Sequence, residues 1–441
     1  MRRARRGRAR LEQHWCRGRL GVDGHSAASS DALRDRSLSV GASHRDLKRV
    51  ADQELSGPGP PADLQWPPES GDSGAPTSRT IARWVKWVVG AGVVLVVVAL
   101  LGTFIRVPYD TFAPGGTLDL ETRVSVKDAK TYPGRGALLL LFVRERTHVN
   151  LWSLLQAKLD SDIDIVKQEN VTGGTSQRFA DLQAVCDMTQ SQNSARVAAL
   201  RALGYKVPVV PGLDVVGLPR TYSYKTAAGV VKSIALPAYN VLRPCDEIVA
   251  ADGHRLTQSD DLSKIVKSHK PGTSVVLRIA RDGTEHNVEV PVVAVPGDRL
   301  VGVSLARRYR PPVQIGLDTS DISGPSAGLA MTLAIIDQLS PGDLTGGKSV
   351  AVTGTIDPNG NVGEIGALEQ KAVAARAAGA KVFIVPACAN DSGRAACLKD
   401  ITAAKKRVGG DVLVAPVSTL AQALQVLRES GGAPVHTSSS A

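Results

Sequence analysis

The sequence predicts an α+β protein hung on one apolar helix. Three observations lead there. Residues 87–105 run without a single charge. Residues 207–297 set short strand patterns between Gly- and Pro-marked turns, with one short helix among them. Beyond residue 310, strand-like runs at Pro312–Leu317 and Val350–Val352 interleave with helical stretches at Leu329–Leu339 and Gly366–Ala378.

The chain has 441 residues, room for about three domains. At 43% hydrophobic it can build real cores, which excludes a wholly disordered or fibrous protein. Aromatics are only 4%, so those cores rest on Ala, Val, Leu and Ile. The net charge is +11, and residues 1–86 hold 16 basic against 10 acidic side chains. A basic arm suits nucleic acid or anionic lipid. No basic run elsewhere is interleaved with aromatics, so nucleic-acid binding is excluded as a main function.

The uncharged stretch WVVGAGVVLVVVALLGTFI is, at about 1.5 Å per residue, close to the thickness of a bilayer's hydrocarbon core. Val is a mediocre helix former in water, but in lipid the cost of unpaired backbone enforces the helix. Trp84 and Trp87 mark one interface, and Arg79, Arg83 and Lys86 flank it on the N-terminal side. The positive-inside rule keeps that side cytoplasmic and sends the chain beyond about residue 106 outward. A cleaved signal peptide and a buried core helix are the alternatives. The residues that follow, Arg-Val-Pro-Tyr, offer no small-residue cleavage site. The expected anchor covers residues 84–106, behind a disordered basic cytoplasmic arm over 1–83.

Residues 107–206 read as a helical connector without chemistry. Asn150–Lys158 and Ser191–Leu203 carry apolar residues at three- and four-residue spacing, and Gly204 supplies a C-terminal stop.

In residues 207–297, Gly229–Ile234 alternates as a strand, followed by Leu242-x-Pro-x-Asp-Glu-Ile248 and Ala251-Asp-Gly253. A helix is expected at Ser259–Ser268, with Asp260 and Asp261 favourable in its first turn. A strand at Ser274–Arg281 then meets a hairpin turn at Asp282-Gly283. This order resembles a PDZ domain of the bacterial protease-associated kind. The resemblance implies capture of peptide ends by strand addition, although no Gly-Leu-Gly-Phe-type loop precedes the Gly229 strand. A structural spacer is the alternative.

Beyond residue 310, the run Asp321-Ile-Ser-Gly-Pro-Ser-Ala-Gly328 leads into a nearly all-apolar helix. Ser326 therefore sits at a helix start, behind Gly324 and Pro325. Pro tolerates that position because its missing N–H would be unpaired there anyway. Free N–H groups and the positive helix end surround the hydroxyl, the environment an alkoxide and an oxyanion need. An ordinary N-cap serine is the alternative.

A serine nucleophile needs a base, and between residues 300 and 435 there is no His. On the helix Gly366–Ala378, Ala367, Leu368, Ala374, Ala375 and Ala378 fall within about 60° of Lys371, with Glu369 and Arg376 opposite. Lys371 thus projects from the apolar face. There it pairs with an acid, snorkels, or loses its proton easily, and a neutral lysine can take the proton from Ser.

Together these pieces resemble the proteolytic domain of the Lon peptidase family. They are Gly324-Pro-Ser-Ala-Gly328, Thr353-Gly-Thr-Ile356, Gly360-x-Val-x-x-Ile-Gly366, Leu368-x-x-Lys371 and Ala378–Pro386. The resemblance spans about residues 300–428. It implies a Ser–Lys dyad with Ser326 as nucleophile and Lys371 as base, Thr353 orienting the lysine amine, and rings of six as a common assembly. Ser323, Thr355 and Ala367 depart from the usual Asp, Glu and Gly. With the anchor and the PDZ-like region, the chain resembles bacterial membrane-anchored, PDZ-bearing Lon-like proteases.

Gly342-Asp-Leu-Thr-Gly-Gly-Lys-Ser349 fits a phosphate loop in spelling only, since a helix is expected before it and a strand after it. No other segment resembles an ATPase module. Cys388 and Cys397 lie close enough in sequence to pair, and the cysteine spacing fits no strong metal motif.

The expected organisation is a PDZ-like domain over 207–297, a Lon-like proteolytic domain over 298–430 and a disordered tail over 431–441. The function read from it is an ATP-independent, membrane-anchored serine endopeptidase acting on extracytoplasmic proteins, without cofactor or metal. Its partners would be peptide substrates, the bilayer through residues 84–106, and further copies of itself. The alternative is a non-catalytic peptide-binding membrane protein with an inactive Lon-type domain.

Overall fold

The computed structural model describes residues 78–389 and 393–436. The expected disordered arm lies outside them, apart from its last residues, which open α1 (Ser78–Phe104). Among the described residues, α1 is the one helix long and apolar enough to cross a membrane, over Trp84–Phe104.

A first group of elements comprises β1 (Tyr109–Asp119), β2 (Val124–Lys127), β3 (Ala137–Arg146), α2 (Leu151–Leu159), β4 (Asp164–Lys167), α3 (Gln168–Thr172) and the long α4 (Gln177–Ala202). Next come β5 (Val209–Gly217), the hairpin of β6 (Thr221–Lys225) and β7 (Val231–Ala235), α5 (Ala238–Val241), β8 (Glu247–Ala251) and β9 (His254–Arg255). This second group continues with α6 (Ser259–Ser268), β10 (Ser274–Arg281), β11 (Thr284–Pro291), β12 (Val293–Val295), β13 (Asp298–Leu300) and β14 (Ser304–Tyr309). The third group holds β15 (Gln314–Leu317), α7 (Gly328–Leu339), β16 (Ser349–Val352), β17 (Thr355–Ile356) and β18 (Val362–Gly363). It ends with α8 (Leu368–Ala377), β19 (Val382–Pro386), α9 (Arg394–Val408), β20 (Leu413–Val417) and α10 (Leu420–Glu429).

The first and third groups share one sheet, in the order β20-β19-β16-β3-β1-β4. Strands β3, β16, β19 and β20 run parallel, β1 is antiparallel to β3, and β4 is antiparallel to β1 and so runs in the direction of the other four. Leu138, Leu140, Val350, Val352, Val382 and Ile384 share a core with α4, α7 and α10. Leu141, Ala351, Phe383 and Val385 share another with α8 and α9. Alternate residues of each strand are thus buried on opposite faces, which is why these strands read as continuous apolar runs.

Residues 107–206 do not form the expected helical connector, since they contribute four strands, β1 to β4. Strand β3 is an inner strand of the sheet, with Leu138 opposite Val350, and β2 pairs with β15. The cause of the misreading is Leu138–Leu141, four buried leucines in a row, which shows neither strand alternation nor helical spacing. The two expected helices do form: Asn150 caps α2 by accepting the N–H of Ser153, and Ser191–Leu203 falls in the second half of α4.

The second group forms its own sheet, β11-β10-β8-β5-β14, with β9 on β8. The expected helix Ser259–Ser268 and strand Ser274–Arg281 appear at those residues. Asp282 and Gly283 take the two positive φ values of a tight hairpin turn. The sheet does not stop at residue 297, because β14 pairs along β5 as far as Tyr309. This group docks on α4. Gln183 Nε2 donates to Val216 O at 2.9 Å, Gln190 Nε2 donates to Asp214 Oδ2 at 3.1 Å, and the rings of Phe179 and Tyr239 lie 4.7 Å apart. A disulfide joins Cys186 of α4 to Cys245.

The phosphate-loop spelling serves the C-terminal segment instead. Lys348 Nζ donates to Ser430 O, and Ala433 N donates to Asp343 O at 2.8 Å. His436 N donates to Ser340 Oγ at 3.0 Å. Residues 431–436 of the expected disordered tail are therefore tied to the loop after α7, while 437–441 lie outside the described residues.

Two carboxyls meet at the far end of α7. Asp337 is 1% exposed, and its Oδ1 accepts the N–H of Leu344 at 2.7 Å. Burial and the adjacent Asp337 push Glu121 up to about 8, and burial raises Asp337 as well. The pair therefore holds a proton. A carboxyl raised on folding stabilises fully below its unfolded value near 4.5 and loses that contribution as pH rises through about 8. Denaturant titrations across this window should show stability falling as pH rises. Glu121→Gln, neutral throughout, should flatten the slope. Equal slopes for the two proteins would refute the shared proton.

Candidate active site

The chain reaches Ser326 through Gly324, whose φ of 93° lies where only glycine is unstrained. Gly324 N donates to Ala184 O on α4 at 3.1 Å, and Ser191 Oγ donates to Pro325 O at 3.0 Å. Pro325–Ala327 form one turn of 3-10 helix that runs into α7. Ser326 is half-buried, and Ala327 to Ile336 are fully buried behind it. Gly354 N donates to Ser326 O and Leu329 N donates to Gly354 O, both at 3.0 Å. The turn is thus held from α4 on one side and from the loop after β16 on the other.

Thr353 leaves the carboxyl end of β16 with its N–H on Ile384 O of β19. It is fully buried. Its Oγ1 lies 3.4 Å from Ser326 O and accepts from Lys371 Nζ at 3.3 Å. Lys371 comes from α8, on the other side of the sheet from α7, and is 3% exposed. Burial alone pushes its ammonium down from 10.5 to about 8. Among the described residues no carboxylate pairs with it, so neither the ion-pair nor the snorkelling alternative describes this lysine. Thr353 bridges the two predicted residues, and no hydrogen bond joins Ser326 to Lys371 directly among the described residues.

Ala367 opens α8 at φ 55° and ψ 43°, left-handed geometry that Gly adopts freely, and its carbonyl accepts the N–H of Lys371 at 3.2 Å. The departure Ala367 noted in the sequence is therefore a strained residue at the base of the lysine's helix. Ala367→Gly should raise stability by about 1 kcal/mol without loss of structure. A lower melting temperature in the glycine variant would overturn this.

Asp321 pairs with Arg123, its Oδ2 at 3.2 Å from Arg123 Nη1. The residues that sequence reasoning missed are on α4. Ser191 is only 6% exposed, and Gln192 donates to Thr319 Oγ1 at 2.6 Å. The signal was the polar run Gln190–Asn193 inside a helix otherwise rich in alanine.

Residues 319–428 match the family model of the Lon protease C-terminal proteolytic domain, and residues 222–292 match that of the PDZ domain. The chain carries a Lon-type proteolytic domain and a PDZ domain. The α+β reading and the resemblance to a Lon-type proteolytic domain and a PDZ domain stand on these matches, which do not reach the expected anchor. Lon protease of Neorickettsia sennetsu is 36% identical over 101 residues, 23% of this chain and 11% of that protein. Lon protease 2 of Syntrophobacter fumaroxidans is 22% identical over 368 residues, 75% of this chain and 41% of that protein. Lon protease of Trichlorobacter lovleyi is 36% identical over 106 residues, 24% and 12% of the two chains. The chain thus spans less than half the length of these curated relatives.

Proposed function

We propose that the protein is a serine endopeptidase anchored in a membrane by Trp84–Phe104, with Ser326 as nucleophile and Lys371 as general base. The observation that carries this reading is Lys371 itself: buried, without an acidic partner, and hydrogen-bonded to the hydroxyl next to the Ser326 turn. A neutral Lys371 amine takes the proton of Ser326 as its Oγ attacks a peptide carbonyl. The resulting ammonium gives the proton to the leaving amine, and the same lysine then activates the water that hydrolyses the acyl-enzyme. Backbone N–H groups at the start of α7 stabilise the oxyanion. Thr353 fixes the direction of the amine.

The proteolytic unit comprises residues 107–206 and 310–430, with the PDZ domain inserted between them. The PDZ domain captures substrate chains and raises their concentration near Ser326. The reaction runs without ATP. Two disulfides, Cys186–Cys245 and Cys388–Cys397, support an extracytoplasmic placement, because such bonds persist in oxidising compartments.

A fluorophosphonate probe tests the reading on the full chain. Intact-mass analysis should find one adduct, on Ser326, and none in Ser326→Ala. Equal labelling of the two proteins would place the reactive nucleophile elsewhere than Ser326, and no labelling of either alongside no peptide cleavage would favour the non-catalytic alternative.

A further inference from the structure

Helix α2 shows an apolar face to the outside. Leu151, Trp152, Leu155 and Leu159 are 44%, 41%, 48% and 83% exposed, while Ala157 on the opposite face is 3% exposed. At 100° per residue the four apolar side chains fall within an arc of roughly 100°, with Lys158 at one rim and Gln156 at the other. A face this apolar is an interaction surface, not scatter.

Its occupant follows from where α2 starts. Leu151 N donates to Ile105 O at 3.2 Å, and Val107 N donates to Val149 O at 3.0 Å. The helix therefore begins beside the residue that follows the apolar span. Trp152 Nε1 then reaches back to donate to Ala99 O at 2.9 Å, inside the span. Gly102 makes this approach feasible, since a Cβ there would stand 2.7 Å from Trp152 Cε2. Ala99 lies five residues before Phe104, about 7–8 Å along the helix axis. Interfacial helices sink roughly 5–10 Å into the boundary between headgroups and acyl chains. An indole at such a level has its apolar body in lipid and its N–H satisfied.

We propose that α2 lies in the bilayer interface, with Leu151, Trp152, Leu155 and Leu159 against lipid, and that it holds the proteolytic unit down on the membrane surface. This rests on Trp84–Phe104 being a membrane span. The catalytic sheet is then fixed at one height and orientation, because α2 leads directly into β4 at its edge.

Spin labelling of the full chain tests the idea. In a Cys16→Ser background, single cysteines at Val96, Leu155, Leu159 and Leu413 carry nitroxides. The protein is placed in vesicles of phosphatidylcholine with a minority of phosphatidylglycerol. Leu413 is exposed and apolar but lies on β20, at the opposite edge of the sheet. Oxygen should broaden the Val96, Leu155 and Leu159 signals several-fold more than a water-soluble nickel chelate does, and the order should reverse at Leu413. Nickel access at Leu155 and Leu159 with oxygen preference kept at Val96 would overturn the interfacial helix and leave the anchor standing. Shielding of Leu155 and Leu159 from both reagents, with dipolar broadening between copies, would assign the face to a second chain and overturn the proposal. Nickel access at Val96 would remove the span and the interfacial helix together.

Discussion

Lys371→Arg should yield a folded protein that cleaves peptides roughly 10²–10⁴-fold more slowly. The substitution keeps the charge and nearly the length, but a guanidinium does not give up its proton near neutral pH. Burial already brings the lysine down to about 8, so roughly a tenth of the molecules hold the neutral amine at pH 7. Wild-type kcat should therefore rise with pH through about 8 and level off above it, and the arginine variant should show no such rise. Ser326→Ala should cost up to about 10⁶-fold, and the double variant no more if the two groups act as one unit. Thr353→Ala should be milder, because it loosens the amine without removing it. If folded Lys371→Arg kept wild-type turnover, the base would lie elsewhere. Asp321, which would be the next candidate, is paired with Arg123.

Cys186→Ala/Cys245→Ala is expected to lower the melting temperature by about 5–15 °C, the equivalent of a 2–4 kcal/mol loss. The bond closes a loop between residues 59 apart, against 9 for Cys388–Cys397, so its loss releases more chain entropy than loss of the shorter one. It also lies two residues from Ala184, whose carbonyl holds Gly324. Peptide turnover should fall in the variant at temperatures where the sheet is intact. Thermal scans of the wild type with and without reductant supply the check. If reduction leaves the transition unchanged, the bond carries no stability.

The parts of the site that were legible in the sequence are the ones with local signatures. Pro and Gly bracket Ser326 at a helix start, and the alanine-rich face of α8 carries Lys371 inward at helical spacing. What was not legible is long-range. Nothing near Leu138–Leu141 signals that it lies beside Val350–Val352, and a strand buried on both faces has no alternation to betray it. The pairing of Cys186 with Cys245 was hidden for the same reason, with each cysteine in a segment assigned to a different unit. The strain at Ala367 left only a departure from a usual glycine as its trace.

The insertion of the PDZ domain between α4 and β15 has a consequence for biosynthesis. Strand β2 waits for β15, and β3 waits for β16, until the whole PDZ domain has emerged. Closing so long a loop is costly and slow for an unfolded chain. Once the PDZ sheet forms, β5 and β14 lie side by side, with Val209 opposite Tyr309, and the two halves of the catalytic sheet are brought to neighbouring points. Ser326, Thr353 and Lys371 all follow β14 in the chain. The PDZ sheet thus acts as a staple in assembly, since its closure sets the two halves of the larger sheet side by side before β2 and β3 find β15 and β16.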